Sequence, residues 1–307
     1  MRVLVTGGAG FIGSHVAEAY LARGDEVVVV DSLVGGRRAF VPAGARFYQL
    51  DVRDPALREV FARERPQVVN HHAAQASVSL SVRDPLGDAE VNVLGTLRIV
   101  ALCVEFGVGH LVFASTGGAL YGDPERLPAD EATPVRPLSP YGCAKWCAEQ
   151  YIATYGRLHG LAAVCLRYAN VYGPRQDPHG EAGVVAIFAR ALLDGRAPTI
   201  HGDGEQTRDF VYVDDVVRAN LLATDRRARG AFNIGTAVGT TVNQIYRALA
   251  RHVPTAPPPV YGPPRPGDVR HVVLAADAAR THLGWAPRVS LDEGLAATVA
   301  WFRAQGA

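Results

Sequence analysis

Sulfur is scarce in this chain of 307 residues: there is one methionine, and the four cysteines are Cys103, Cys143, Cys147 and Cys165. So few thiols, so scattered, exclude a disulfide scaffold. Cys143 and Cys147 share a helix face, but no His or Cys pair of matching spacing accompanies them, so they are expected to pack and not to bind metal. An excess of charge of one sign is also lacking. Lys plus Arg number 31 against 30 Asp plus Glu, which leaves no basic stripe for nucleic acid or a membrane surface. No run of about 18 apolar residues occurs, so no membrane span is expected. The first residues, MRVLVTGGAG, pass from a strand pattern straight into glycines, unlike a secretory signal. A cytoplasmic protein is expected.

Apolar residues are abundant, at 48%, enough for one large α/β domain with or without a smaller lobe. Val-rich runs at residues 3–6, 27–30, 46–50, 68–71, 111–114 and 163–167 read as strands. Amphipathic stretches at 12–23, 56–65, 91–106 and 140–159 read as the helices between them. This alternation implies βαβ units and a doubly wound parallel sheet covered on both faces. After residue 168 the regularity weakens, through a loop at 170–182 and a Pro-rich run at 254–266. Residues 1–168 are therefore expected to form a dinucleotide-binding domain, and 169–307 mainly a smaller C-terminal substrate-binding lobe. Residues 210–213 and 231–234, within a stretch of about 207–237, are expected to return to the main sheet.

The strongest motif is TGGAGFIGS at residues 6–14, between a predicted strand and a predicted helix. Gly7, Gly10 and Gly13 allow the sharp turn, the approach of a pyrophosphate to the backbone N–H groups of Phe11, Ile12 and Gly13, and close helix–strand packing. Asp31 ends the second strand, where a carboxylate accepts ribose hydroxyls and repels a 2′-phosphate. That favours NAD, although Arg37 and Arg38 lie nearby. Asp51 and Val52 are placed to meet the adenine. Ala73, Ala74 and Gln75 end the fourth strand with small residues beside the cofactor, and Asn92 is placed to hydrogen-bond that loop from inside. Together these describe a Rossmann-type site for NAD.

The second motif is Tyr141-x-x-x-Lys145, which puts a phenol and an ammonium on one helix face, one turn apart. A phenol with a pKa near 10 is a poor base at neutral pH. A nearby ammonium and a cationic nicotinamide both favour the phenolate and make it usable as general base and acid. The helix follows a strand ending in Ser115 and Thr116.

With these pieces the chain resembles the extended short-chain dehydrogenase/reductase family, and within it the UDP-glucose 4-epimerase group. The resemblance covers nearly the whole chain. It includes residues 167–176 (RYANVYGPRQ), 208–215 (RDFVYVDD) and 265–268 (RPGD). It implies that Tyr141 is the base and that Lys145 also holds the nicotinamide ribose. It implies that Tyr168 borders the cofactor and that Asn170 and Val184 border the substrate. Arg208 and Arg265 would clamp a diphosphate, for which guanidinium forks are suited, and Asp268 would hold a uridine ribose. Where many epimerases carry the catalytic serine, this chain has Gly117, so Thr116 or Ser115 must supply the hydroxyl. The 4,6-dehydratases carry an Asp-Glu pair at Gly118 and Ala119, absent here. The same loop offers no hydroxyl to a sugar carboxylate, and Val272 falls near the sugar C2 side. The activity implied is C4 epimerisation of an uncharged UDP-hexose, with UDP-glucuronate enzymes and a non-catalytic NAD sensor as the alternatives. A homodimer joined through the Tyr141 helix and the preceding one is implied as well.

Overall fold

The computed structural model describes residues 1–179, 183–264 and 269–306. Its first half alternates strand and helix: β1 (Arg2–Thr6), α1 (Phe11–Ala22), β2 (Glu26–Asp31), β3 (Arg46–Gln49), α2 (Leu57–Glu64), β4 (Val68–His71), α3 (Val78–Arg83), α4 (Pro85–Ala89), a π-helical segment (Glu90–Gly95), α5 (Thr96–Glu105), β5 (His110–Thr116), α6 (Gly117–Leu120), α7 (Pro140–His159) and β6 (Ala163–Tyr168). The second half has shorter strands: β7 (Asn170–Tyr172), α8 (Val184–Leu193), β8 (Thr199–His201), β9 (Thr207–Tyr212), α9 (Val213–Asp225), β10 (Gly230–Ile234), β11 (Gly239–Thr241), α10 (Val242–His252), β12 (Val260–Gly262), β13 (His271–Val272) and α11 (Leu291–Gln305).

A seven-stranded sheet runs in the order β10-β6-β5-β4-β1-β2-β3, and every pair in it is parallel. The Val-rich strands bury both faces. Val3, Val5, Val27 and Val29 pack with Val16, Ala17 and Tyr20 of α1. Leu4, Val28, Val30 and Val69 pack on the opposite side with Phe61, Ile99 and Ile152. Side-chain alternation along a strand sends neighbours to opposite faces, so a continuous apolar run is what a doubly covered sheet requires. Strand order reverses between β1 and β4, and such a switch point opens a crevice at the carboxyl ends of the strands.

The return of later segments to this sheet is partial. Residues 231–234 lie in β10, which pairs with β6 from Gly230↔Val164 to Ile234↔Tyr168. Residues 210–213 do not join: β9 instead pairs with β7, β11 and β13 in a second, four-stranded sheet. The helix after it comes back. Thr224 Oγ1 of α9 is hydrogen-bonded to the Tyr20 hydroxyl of α1 at 2.6 Å. The smaller lobe has its own core, with Tyr172, Phe188, Ile245, Leu249, Leu295 and Phe302 buried together. Among the described residues no helix is long and apolar enough to cross a membrane, and no group of three His, Cys, Asp or Glu side chains is placed to hold a metal ion.

Candidate active site

Three glycines shape the crevice. Gly7 adopts φ +68°, and a Cβ there would stand 2.6 Å from the Ala73 nitrogen. A Cβ on Gly13 would collide with the Gly7 carbonyl oxygen. The turn therefore excludes a side chain at Gly7 and at Gly13, and α1 begins with its first N–H groups facing the crevice, which suits a pyrophosphate. Phe11 and Ile12 supply that first turn, their side chains packing against neighbouring clusters. Asp31 closes the turn from β2, accepting from Ala9 N at 2.9 Å and from Leu33 N at 2.8 Å. A carboxylate has lone pairs left after two such bonds. Arg37 and Arg38 lie over the rings of Phe40 and Phe47. Asp51 is bound by Arg53 at 2.8 and 2.9 Å, a pairing that lowers its pKa. Val52 is buried. The cradle fits NAD: a glycine-rich turn for the phosphates and an unphosphorylated-ribose acceptor at Asp31.

The loop after β4 is held from both sides. Ala73 N donates to Thr6 Oγ1 at 3.2 Å, Thr6 Oγ1 is bonded to His71 Nδ1 at 2.6 Å, and His71 Nε2 to Thr96 Oγ1 at 3.1 Å. Burial drives the His71 pKa well below its ordinary value, so the ring is neutral and its one proton is needed at Nε2 if Thr6 donates to Nδ1. From the other side, Asn92 accepts from Gln75 N at 3.1 Å and donates to Gln75 O at 2.9 Å. Asn92 was expected both to hold this loop and to touch the cofactor. Its amide is occupied by the loop and by Asp88 at 2.8 Å, so it acts through Gln75.

The catalytic helix α7 starts with Pro140 at its first position and Ser139 as cap, accepting from Gly142 N at 3.2 Å. This combination favours a helix start and fixes where Tyr141 emerges. Tyr141 N donates to Ser81 Oγ at 3.1 Å. The Thr116 hydroxyl stands close enough to the Tyr141 phenol to favour its ionised form. Lys145, one turn on, donates to the Ala114 carbonyl at 3.0 Å and lies 4.8 Å from the Phe113 ring centre and 6.0 Å from that of Tyr141. Thr116 and Asn170 border one small space: a Cβ on Gly118 would lie 3.6 Å from Asn170 Oδ1 and 3.8 Å from Thr116 Oγ1.

The electrostatics differ from the expected picture. Burial, then Asp88, push the Tyr141 phenol up to about 12, with the Thr116 hydrogen bond pulling the other way. Burial lowers Lys145 to about 8, partly offset by Asp88 and Glu149. Lys145 does not by itself lower the phenol, because a desolvated phenol beside a buried carboxylate resists ionisation.

Two expectations, Ser115 and Tyr168, need correction. Ser115 is not at the reacting phenol: it donates to Glu149 Oε1 at 2.5 Å, two turns along α7 from Tyr141. Tyr168 does not turn its side chain to the crevice: its hydroxyl accepts from Asn220 at 2.8 Å, and its ring stacks on His72. Val272 is buried in the core cluster that holds Leu274. Val184 opens α8. Arg208 lies on β9 and donates to the Thr207 carbonyl at 2.9 Å. Arg265 and Asp268 lie outside the described residues. Asp88 and Leu274, both of which shape the site, went unnoticed in the sequence. The i, i+4 spacing of Asp88 and Asn92 was the available signal.

The profile of the NAD dependent epimerase/dehydratase family matches residues 3–235. The chain belongs to that family. The epimerase/dehydratase assignment extends to near relatives over the full length. A UDP-glucose 4-epimerase of Mycolicibacterium smegmatis is 46% identical over 309 residues, covering 99% of each chain. A putative UDP-glucose 4-epimerase of Methanocaldococcus jannaschii is 43% identical over 301 residues, covering 98% of each. Among solved structures, the UDP-glucose 4-epimerase of Thermotoga maritima with UDP-glucose superposes with a TM-score of 0.97 at 49% identity, covering 100% of both chains. That of Thermus thermophilus with NAD gives 0.95 at 50% identity, covering 99% of both.

Proposed function

We propose that this NAD dependent epimerase/dehydratase family member interconverts UDP-glucose and UDP-galactose by epimerising C4. The observation that carries the reading is the Tyr141 phenol beside the Thr116 hydroxyl, one turn before a buried Lys145 that is anchored on the Ala114 carbonyl, at the switch point of an NAD-type cradle. Tyr141 takes the proton of the C4 hydroxyl and later returns it. Thr116 orients the same oxygen. When bound, NAD supplies the hydride acceptor and donor at C4, and its positive ring favours the phenolate that burial otherwise disfavours. Lys145, with protons beyond the one given to Ala114, holds the nicotinamide ribose. The 4-keto sugar turns about its diphosphate link, so the hexose must be loosely held and the diphosphate firmly. Asn170 and Arg208 face that task in this reading, with Val184 beside them and Arg265 and Asp268 completing the grip. Binding energy placed on a remote, non-reacting group is the general way to orient a mobile reacting centre.

The absence of a hydroxyl or carboxylate side chain at Gly117, Gly118 and Ala119 supports an uncharged sugar over a glucuronate and epimerisation over dehydration. Two copies are proposed to join through α5 and α7. Exposed Leu94, Tyr151 and Leu158 on or beside these helices support that surface. Incubation with UDP-glucose, UDP-N-acetylglucosamine and UDP-glucuronate in parallel, with products resolved by NMR, tests the function. Conversion of UDP-glucose to UDP-galactose is expected; conversion of the glucuronate alone, or of none, overturns the reading. Sedimentation velocity tests the dimer.

A further inference from the structure

Asp88 lies on α4, which packs against α7, and it is 2% exposed. Its Oδ1 accepts from Gln75 Nε2 and from Asn92 Nδ2, both at 2.8 Å. Its Oδ2 is buried with no hydrogen-bond partner. A carboxylate is rarely kept in such a place without a use, since an unsatisfied buried charge is costly. The residues that hold it are the ones that hold the loop beside the cofactor cradle. Asn92 itself sits in the π-helical segment Glu90–Gly95, a local widening often found at functional sites.

We propose that Asp88 is a positioning residue for the reaction: fixed by Gln75 and Asn92 on the helix packed against α7, its buried carboxylate tunes the proton exchange at Tyr141 and Lys145. The proposal rests on the epimerase reading of this site. Of the other titratable groups around the pair, Glu149 adds to the negative charge felt by Lys145, but it is shared with a cation. His71 and His72 on β4 are held neutral by burial. Cys165 on β6 is buried and its thiol is pushed well up. Glu149, one turn beyond Lys145, is bound by Arg167 at 2.7 Å. Asp84 lies at the far end of α4 and acts on Asp88. The Asp88 carboxyl is itself raised by burial, with Gln75, Asn92 and Lys145 opposing that rise.

The sign follows from charge alone. A fixed negative charge favours the protonated form of both a phenol and an amine, so removing it lowers both pKa values. Asp88→Asn keeps an acceptor for Asn92 and Gln75 but removes the charge. Both limbs of the kcat/KM pH profile should move to lower pH by about one unit, the usual scale for one close charge. Asp88→Glu, which restores the charge, should return the profile towards wild type. An Asp88→Asn profile that is merely lower and unmoved makes Asp88 structural and overturns the proposal. The phenolate absorbance of Tyr141, read as wild type minus Tyr141→Phe in each Asp88 background, gives the same shift without any turnover. It therefore separates failure of this proposal from failure of the epimerase reading. If Asp88→Asn does not fold, Asp88→Ser serves in the same titration, with the same shift expected and an unmoved titration overturning the proposal.

Discussion

Leu274 occupies the space that a side chain at Gly117 would need: a Cβ on Gly117 would collide with Leu274 Cδ1 and stand 3.0 Å from Cδ2. Leu274 is fully buried and bridged to Ala129, so it has little room to yield. The loop thus carries Gly117 where many epimerases carry serine, and Thr116 stands as the hydroxyl at Tyr141. Gly117→Ser should lower stability by about 1–3 kcal/mol through overpacking. Adding Leu274→Ala should relieve the clash while opening its own cavity. Thermal unfolding of the single and double variants checks this, and non-additivity between the two positions is the expected signature.

Thr116 and Ser115 are neighbours with different duties. Thr116→Val should cut kcat by about a hundredfold, the usual cost of one group bonded at a reacting oxygen, with the fold intact. Ser115→Ala should leave kcat within a few-fold and lower stability by about 1 kcal/mol, since it removes one hydrogen bond to a buried carboxylate. Steady-state kinetics and denaturant unfolding on both variants make the comparison.

Further along α7, Glu149 binds Arg167 through Nε at 3.1 and 3.2 Å and through Nη2 at 2.7 Å. Arg167 also donates to the Tyr121 hydroxyl at 2.9 Å, which donates to Asn233 at 2.7 Å. Both charged side chains are almost fully buried. Removing one partner leaves the other buried and unpaired, so Glu149→Gln should cost about 3–5 kcal/mol. Urea unfolding gives the value directly.

Tyr141 gives a pH prediction. Burial pushes its phenol up to about 12. A positive charge beside it favours the phenolate and lowers that value. Difference absorbance titration of wild type minus Tyr141→Phe should show a phenol ionising far above neutrality without NAD and at clearly lower pH with it. Activity should rise with pH through the NAD-bound value, because the base form is the phenolate.

The glycine turn, the acid at Asp31, the Tyr141–Lys145 pair and the parallel sheet were legible because each depends on local spacing or on strand and helix periodicity. The choice between Ser115 and Thr116 was not, because both hydroxyls meet α7, Ser115 at Glu149 and Thr116 beside Tyr141, and only the packing of β5 on α7 decides which reaches the phenol. The strand FVY within β9 reads like any buried strand, and only tertiary pairing sends it to the second sheet. Leu274 is far from Gly117 in sequence, so nothing local ties them. Asp88 reads as an ordinary surface carboxylate in a short helix until Asn92 and Gln75 close over it.

The most direct test of the account uses UDP-glucose carrying deuterium at C4, incubated with the protein in ordinary water. Because the hydride removed from C4 is returned to C4 within one closed site while Tyr141 handles only the hydroxyl proton, UDP-galactose should retain the deuterium at C4. Tyr141→Phe should form product at least about a hundredfold more slowly. Loss of the label to solvent, or near-normal turnover by Tyr141→Phe, would contradict the account.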